Sequence, residues 1–492
     1  MLTISTTIDY LPAVQETIQQ VDRLHELVTV IHDAKNPDFG TGISVLQDEI
    51  MLAFDWHDDG PPYIIPRTTY TPENLLALIF HSLGNHQKAL EIVKTGETLH
   101  QHLLIATHLQ YGYELEAHML DFMAQTSAHN HAIAHYYGAV AHGLDYDALK
   151  KAFQLAMATA HDKESKVFTT KHYVNMLLDA GELKDAALLV KDPQANISKN
   201  AQYALKAHWA SISMAQLRLP YDSGALDALQ ELQLDVIAYY ESQHVNIQAG
   251  LLLIEASEVA NFKGDYIASK ELINRAIHYF REEDIPEFLG EAGLKKAVLL
   301  YTWSKDGHPQ YYKAAINAFQ DVLKVFKRHT HPQKFADIHH HLALIYSEIP
   351  VTPEEKPMWI AFCASSFKEV LSFYTKEEHP YRYAMACHNY ATALMHFPPA
   401  KIHNNLDKAA GLFAEALTIR TAAAHPFERA LTLLNQLELG WLAHNADYGE
   451  ELKNHASMVS AAQEIKSLVT EESLVEQANE HLSALQKVKN FI

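Results

Sequence analysis

The chain has 492 residues, 48% of them hydrophobic, and its 39 basic and 60 acidic residues give a formal net charge of −21. That hydrophobic fraction suffices for a large core or one long continuous core. The acidic balance argues against DNA, RNA or an anionic membrane as the main partner, because each needs a basic patch.

The composition favours helices over strands. Ala, Leu, Glu, Lys and Gln are abundant, only 18 Gly and 18 Pro interrupt the chain, and long period-two runs of Val, Ile and Thr are absent. Cys363 and Cys387 lie in helical patterns and are too few for a disulfide framework, so we expect small buried residues. Neither a signal peptide nor an apolar run of 18 residues is visible, which predicts a cytoplasmic protein.

Residues 1–66 lack a repeat pattern. We expect N-terminal capping helices here, with an amphipathic helix over 11–31. The least helical stretch, 53–66, carries His57, Asp58 and Asp59, which could be drawn as metal ligands of a hydrolase. Its interpretation as a loop before the first repeat is the one we favour, since no further ligands can be assembled for a hydrolase site.

Residues 67–305 carry an irregular repeat. In three places a helical pattern ends at a glycine, the chain turns, and a small residue follows five positions later: Gly84 and Ala89, Gly181 and Ala186, Gly264 and Ser269. Gly143 and Ala148 fit the same pattern. Glycine suits such a position because it accepts the left-handed conformation that ends a helix. Thr71-Pro72 is typical of an N-cap followed by proline in the first turn.

Residues 306–446 carry a longer repeat that begins at His-Pro pairs. His331, His379 and His425 are spaced by 48 and 46 residues. Each is preceded at fixed offsets by a small residue, a phenylalanine and a leucine, namely Ala315, Phe319 and Leu323; Cys363, Phe367 and Leu371; Ala409, Phe413 and Leu417. A period near 47 is typical of stacked supersecondary units.

Each long unit predicts two helices. One follows the His-Pro pair, at 334–347, 382–396 and 428–444, and one carries the small-x3-Phe pattern, at 359–375 and 406–421. The Pro-rich segments between them predict loops. Residues 447–492 lack the repeat and are expected to form C-terminal capping helices. The whole chain predicts about ten helix pairs.

This pattern resembles the tetratricopeptide repeat over most of 67–446. The last three units resemble the lengthened repeats of bacterial proteins, through "FYTKEEHPYRYAMACHNYATAL" and "NNLDKAAGLFAEALTIRT", and more distantly those of kinesin light chain. The chain departs from that pattern at the tryptophan position, where it has Phe335, Tyr383 or Arg429. The resemblance implies an all-α, right-handed superhelical solenoid with a concave groove.

The resemblance also implies where a partner would bind. Asparagine at the position before an apolar-small pair of the first helix contacts the backbone of a bound peptide in that family. Here the position is occupied by His341, Asn389 and Asn435, and the preceding one by His340, His388 and Leu434. An amide offers both a donor and an acceptor to a peptide unit. The alternative is that these side chains are solvated or form hydrogen bonds between repeats.

The resulting prediction is a non-catalytic scaffold for a peptide or partner protein, bound through His340, His341, His388, Asn389 and Asn435. It needs no cofactor, metal or nucleic acid. Two alternatives stay open. One is a ligand- or pH-switched sensor, because protonating all 32 histidines would move the formal charge from −21 to +11. The other is a metal-dependent hydrolase using the 53–66 loop or the His131–His135 pair.

Overall fold

The structure is a computed structural model that describes residues 1–32, 42–46, 48–58, 60–191, 196–398, 404–443 and 447–488. The chain divides into two compact units, Met1–Leu272 and Ile273–Ile492, called unit 1 and unit 2 below. The division falls inside one helix, Tyr266–Glu282.

Unit 1 begins with a small mixed sheet. Its strands are β1 (Leu2–Thr6), β2 (Val28–His32), β3 (Ile43–Leu46), β4 (Glu49–Leu52) and β5 (Thr68–Thr69). Their order in the sheet is β2-β1-β3-β4-β5. Strand β1 is parallel to β2 and β3, whereas β4 pairs antiparallel with β3 and β5. Helix α1 (Leu11–Gln19) connects β1 to β2, as a parallel pair requires.

The sheet differs from the expectation of capping helices over 1–66. The helix expected over 11–31 ends at Gln19, and its last part forms β2 instead. The strands contain two to five residues, too short to show a clear period in the sequence. They are stabilised by long-range pairing, and Ile4, Ile43 and Ile50 are completely buried. The β-branched residues of "LTIST" and "VTVIH" suit such half-buried strands.

The rest of unit 1 is helical. Its helices are α2 (Pro72–Ser82), α3 (His86–Ile92), α4 (Thr98–Tyr111), α5 (Ala117–Thr126), α6 (Ala128–Tyr137), α7 (Tyr146–Ala158), α8 (Lys163–Asp179), α9 (Leu183–Val190), α10 (Lys199–Gln216), α11 (Ser223–Ser242), α12 (Asn246–Phe262) and the start of α13 (Tyr266–Glu282). Neighbours in sequence pack together, as α2 with α3 and α8 with α9. The even-numbered helices α6, α8, α10 and α12 also pack in a row, each on the next.

The predicted glycine turns are confirmed at three positions. Gly84, Gly181 and Gly264 have φ angles of +78°, +75° and +75°, and a Cβ at any of them would meet nothing within 4 Å. Their backbone conformation is therefore the reason for glycine. The prediction for Gly143 is wrong, since helix α6 ends earlier, at Tyr137. Asp145 caps the following helix by accepting from the Ala148 N–H.

The predicted cap of α2 is also confirmed. The Thr71 hydroxyl accepts from the Asn74 N–H at 3.1 Å, and Pro72 occupies the first turn. This arrangement satisfies one of the free N–H groups of the helix start, and the proline removes another.

Unit 2 consists of helix pairs in its described part. Its helices after α13 are α14 (Pro286–Lys305), α15 (Tyr312–Val322), α16 (Pro332–Glu348), α17 (Lys356–Phe373), α18 (Pro380–Met395), α19 (Asn405–Ile419), α20 (Pro426–Leu442), α21 (Tyr448–Leu468) and α22 (Glu472–Val488). All three His-Pro pairs start helices, with proline in the first turn as predicted. The first helices α16, α18 and α20 pack in a row.

The small-x3-Phe positions form the core between the helices of unit 2. Ala315, Cys363 and Ala409 are completely buried, as are Phe319, Phe367 and Phe413. Burial raises the pKa of Cys363 to about 12 and that of Cys387 to about 11, so both thiols stay protonated near neutral pH. The repeated motif of the sequence is therefore a packing motif.

Apart from the N-terminal sheet, the described chain has the predicted all-α solenoid fold. Helix pairs follow one another, and first helices pack on first helices within each unit. Within the described ranges, every helix is too short or too polar to cross a membrane.

Candidate functional site

The matched His and Asn residues of unit 2 join one repeat to the next. The Asn389 Nδ2 group of α18 donates to His340 Nε2 of α16 at 2.8 Å. One repeat later, Asn435 Nδ2 of α20 lies 3.5 Å from His388 Nε2 and 2.8 Å from the Thr392 hydroxyl of α18. We call these four residues, His340, Asn389, His388 and Asn435, the His–Asn ladder.

The second step of the ladder is part of a larger network. The Thr432 hydroxyl donates to the Glu428 carbonyl and accepts from the Arg420 guanidinium, both at 2.8 Å. It lies 3.2 Å from His388 Nδ1. Because the Asn435 amide donates to Nε2, the proton of the neutral His388 ring is on Nδ1 and can be donated to Thr432. The Thr432 hydroxyl thus links the His388 ring to the Arg420 guanidinium.

The imidazole rings of the ladder are neutral. Burial, with the His341 ring and the Arg382 charge adding to it, lowers the pKa of His340 to about 4. Burial and the Arg420 charge likewise lower the pKa of His388 to about 4. A neutral ring can accept the amide proton, whereas a protonated ring would repel it. The ladder thus persists through the physiological pH range.

The remaining predicted residue, His341, packs away from the ladder. Its ring stacks on Phe319, with ring centroids 5.2 Å apart and planes 13° apart. Burial is the main cause that lowers the pKa of His341. The five predicted binding residues therefore lie on neighbouring helices of one face, where four of them form hydrogen bonds between repeats.

Unit 1 presents a different arrangement at the equivalent helices. Between β4 and β5 the chain runs without regular secondary structure along α6, α8 and α12, with a turn at Trp56 and His57. We call residues 54–58 and 60–65 the strap; Asp59 lies outside the described residues. It includes most of the 53–66 stretch that the sequence marks as a loop.

Asn130 of α6 binds both backbone polar groups of one strap residue, Ile64. Its Oδ1 accepts from the Ile64 N–H at 2.9 Å, and its Nδ2 donates to the Ile64 carbonyl at 2.7 Å. Asn130 is completely buried. This is the contact between an asparagine side chain and a peptide backbone that the family resemblance implies for unit 2.

His129 holds the strap two residues earlier. Its Nε2 donates to the Pro62 carbonyl at 2.9 Å, since a carbonyl can only accept. The other nitrogen, Nδ1, lies 2.9 Å from the Thr169 hydroxyl of α8. Burial lowers the pKa of His129 to about 4, so the ring is neutral.

Lys171 and Gln248 bind the start of the strap. The Lys171 ammonium of α8 donates to the Trp56 carbonyl at 2.9 Å and to the Asp58 carboxylate at 2.7 Å. The Gln248 amide of α12 donates to the His57 carbonyl. Lys171 is only 3% exposed, and its ion pair and hydrogen bonds compensate that burial.

Aromatic side chains anchor the strap. Trp56 is 3% exposed and packs edge-to-face on Phe168 of α8, with ring centroids 5.2 Å apart. Phe54 stacks on the same ring at 5.0 Å. The Tyr63 hydroxyl lies 2.6 Å from His102 Nδ1 of α4. The strap therefore combines buried apolar side chains with a backbone bound by side chains of the helices.

The sequence analysis missed His129, Asn130 and Lys171 as binding residues. A signal for two of them is present in the sequence, because "HNHA" at 129–132 and "HNYA" at 388–391 share a His-Asn-x-Ala pattern. The i,i+4 pair His131 and His135 is the more obvious feature of the same segment. The sequence pattern does not reveal that the strap is the partner of Asn130, since Ile64 and Asn130 are 66 residues apart.

The other candidate sites do not assemble in the described part of the chain. Asp58 pairs with Lys171, and the His57 ring lies against Tyr240 with centroids 6.2 Å apart. The His131 and His135 rings are in contact at 4.7 Å. Over the described ranges, no group of three or more His, Cys, Asp or Glu side chains is arranged to hold a metal ion.

Comparisons with known proteins give a weak likeness only. No family model and no curated protein matches the chain. Among solved structures, yeast Tom70 aligns over 85% of this chain and 88% of its own, at 12% identity and a TM-score of 0.27. A circular tandem repeat protein aligns over the same shares, at 14% identity and a TM-score of 0.19. At these values the likeness says nothing about function.

Proposed function

We propose that this protein is a non-catalytic scaffold that binds an extended segment of a partner protein on the first helices of unit 2. The binding residues are the predicted His340, His341, His388, Asn389 and Asn435. The resemblance to lengthened bacterial tetratricopeptide repeats supports this proposal. A bacterial origin and a cytoplasmic location stay predictions from the sequence.

One observation carries the proposal: His129 and Asn130 bind the backbone of the strap in unit 1. His388 and Asn389 share the same His-Asn-x-Ala pattern on a first helix of unit 2. A first helix of this chain thus has the chemistry to bind a peptide unit regardless of that peptide's side chains.

The ladder leaves capacity for such binding. An asparagine amide has two N–H donors and an oxygen with two acceptor sites. The bond to His340 uses one N–H of Asn389. The side chains of His388, Asn389 and Asn435 are each only partly buried. A partner could therefore accept the second N–H and donate to the amide oxygen without breaking the ladder.

Affinity capture from a lysate of the source organism, quantified by mass spectrometry, tests the proposal. The wild-type chain is compared with Asn389→Ala/Asn435→Ala. Thr392→Val is the matched control, because it removes the bond between Thr392 and Asn435 yet keeps both amides. We expect a partner to be captured by the wild type and the control, and lost from the double variant while that variant stays folded.

The other outcomes separate the remaining interpretations. A partner captured equally by the double variant contradicts the assignment to the asparagines. A partner lost from both the double variant and Thr392→Val shows that the ladder positions the site without contacting the partner. If the wild type captures no partner, the ligand-switched sensor becomes the better interpretation, and X-ray scattering with and without candidate peptides tests it.

A further inference from the structure

The helices around the strap mainly supply hydrogen-bond donors. Four carbonyls of the strap accept hydrogen bonds from these helices. Lys171 donates to the Trp56 carbonyl and Gln248 to that of His57. His129 donates to the Pro62 carbonyl and Asn130 to that of Ile64. In these contacts the only strap N–H bound by a side chain of the helices is that of Ile64, which donates to Asn130. We call the strap-facing side of α6, α8 and α12, with its four donor residues, the strap groove.

A groove that binds carbonyls favours a particular class of segment. Proline lacks an N–H but keeps its carbonyl, and a polyproline-type segment exposes its carbonyls because it has no internal hydrogen bonds. The strap has the sequence "GPPYIIP" over 60–66. Its Pro62 carbonyl is bound by His129, while Pro61 and Pro62 have no N–H that would remain unsatisfied.

Two cavities border the strap at its proline pair. A cavity of about 360 Å³ and another of about 410 Å³ border the strap, and both are lined by Gly60, Pro61, Pro62 and Gln110. The strap is therefore fixed near Trp56 and near Ile64, with free volume beside the prolines between them. This free volume is the place where a second segment would first contact the groove.

We propose that the strap groove binds an extended, proline-containing segment of a partner protein, and that the strap is its competitor within the same chain. The partner segment carries an aromatic residue that replaces Trp56 and a proline pair followed by aliphatic residues. Since the strap is covalently linked, its effective concentration in the groove is high, on the order of millimolar for short linkers. The strap therefore limits binding to partners of high affinity or high local concentration.

As in the proposed function, side chains of first helices bind the backbone of a partner segment. The binding face here is in unit 1, however, and not in unit 2. The test uses the full chain and a fluorescein-labelled synthetic peptide of residues 54–66, followed by fluorescence anisotropy. Trp56→Ala weakens the strap. In that background Gln248→Ala removes one groove donor, and Gln243→Ala is the matched control, because Gln243 lies at the end of α11 and its side-chain amide donates to the Ser242 hydroxyl.

We expect Trp56→Ala to bind the peptide at least about tenfold more tightly than the wild type, since the competing strap is weaker. Gln248→Ala should weaken that binding about fivefold and Gln243→Ala should leave it unchanged, as expected for one lost hydrogen bond. A peptide with alanine at the positions of Pro61 and Pro62 should bind more weakly, because it is less preorganised and has two unbound N–H groups.

Three results would overturn the proposal. One is a folded Trp56→Ala chain that does not bind the peptide at millimolar concentration. Another is peptide binding that does not respond to Gln248→Ala. The third is concentration-dependent self-association of Trp56→Ala, which would assign the groove to the strap of a second copy.

If Trp56→Ala does not fold, the wild type provides the test. Hydrogen exchange of the Ile64 amide is measured with and without the unlabelled peptide in excess. Faster exchange in its presence supports displacement of the strap. Unchanged exchange shows that the strap is a permanent part of unit 1 and contradicts the proposal.

Discussion

In unit 1, His129 and Asn130 bind the backbone of a segment from elsewhere in the chain, whereas in unit 2 the matched His388 and Asn389 bind side chains of neighbouring repeats. The two units thus use one sequence pattern in two environments. The strap provides carbonyls in unit 1, and a histidine one repeat earlier provides the acceptor for Asn389 in unit 2. A His-Asn motif that recurs on first helices of this chain therefore indicates hydrogen-bonding capacity, and the neighbouring elements decide its partner.

The largest effect is expected when the strap loses its anchor. Trp56→Ala should lower the free energy of unfolding of unit 1 by about 3–5 kcal/mol, because a buried aromatic side chain is removed. Trp441→Ala is the matched control: Trp441 is 40% exposed, and its loss should cost about 1 kcal/mol or less. Chemical denaturation monitored by hydrogen exchange measures the loss in each unit separately. If Trp56→Ala lowers the free energy of unfolding no more than Trp441→Ala does, Trp56 does not anchor the strap.

Acidification should affect unit 1 more than unit 2. Burial lowers the pKa to about 4 for four histidines of unit 1 and two of unit 2, namely His81, His102, His129 and His208, and His340 and His388. Since each folded-state pKa is below the unfolded value near 6.5, the unfolded chain binds more protons between these values, so stability falls as the pH falls through this window.

Each of these histidines should cost on the order of 1 kcal/mol at pH 5.5, so these rings alone cost unit 1 about 4 kcal/mol and unit 2 about 2 kcal/mol. Hydrogen exchange at pH 7.0 and 5.5, corrected for the intrinsic rates, measures the two losses. If the difference in stability between the two units is the same at pH 7.0 and 5.5, the assignment of neutral buried rings is contradicted. This loss of stability also differs from a reversible switch, which would retain protection at low pH.

Removing the Asn130 bonds to the strap should have a smaller effect than removing the Trp56 anchor. Asn130→Ala leaves the Ile64 N–H and carbonyl without their partner, and we expect a loss of about 2–3 kcal/mol in unit 1. Asn435→Ala removes an amide that bonds only to side chains, and about 1 kcal/mol is expected there. Urea denaturation of both variants tests this order. A greater loss for Asn435→Ala would mean that the ladder stabilises unit 2 more than the Asn130 bonds to the strap stabilise unit 1.

The ladder itself can be measured by two double-mutant cycles. The His340–Asn389 bond is 2.8 Å long, and its coupling energy should be about 1 kcal/mol. The His388–Asn435 contact, at 3.5 Å, is at the limit of a hydrogen bond and should couple less. Alanine variants and their doubles give both values from unfolding curves. Coupling of equal size in the two cycles would contradict the difference in geometry.

The smallest expected effects compare two glycines of different backbone conformation. Gly84→Ala places a Cβ at φ +78° and should cost about 1 kcal/mol. Gly411 lies inside α19 with no atom near its missing Cβ, so Gly411→Ala should stabilise unit 2 by about 0.5–1 kcal/mol. Thermal unfolding shows both shifts. Stabilisation by Gly84→Ala would contradict its role as a helix terminator.

The elements that depend on neighbours in sequence could be predicted. The Thr71 cap and the three His-Pro helix starts depend on residues within one turn. The buried Phe319, Phe367 and Phe413 were visible because the repeat presents them three times. Gly143 shows the limit, since α6 already ends at Tyr137 although the local pattern continues.

The elements that depend on distant residues could not be predicted. Strands β1 and β3 pair across 39 residues, and their four or five residues carry no distinct period. The residues predicted to bind a partner in unit 2 lie on the helices that follow the His-Pro pairs. Their hydrogen-bond partners could not be predicted, because His340 and Asn389 are 49 residues apart and two polar residues on solenoid helices can face solvent, a ligand or each other.

The sequence by itself determined the helices, their ends and the repeated packing positions, because these follow from backbone conformation and from apolar side chains at a fixed period. Only the tertiary structure decided what the polar residues of the first helices bind. A hydrogen bond is satisfied by whichever acceptor lies within about 3 Å, and in unit 1 that acceptor is the backbone of a strap which the sequence places 66 residues away.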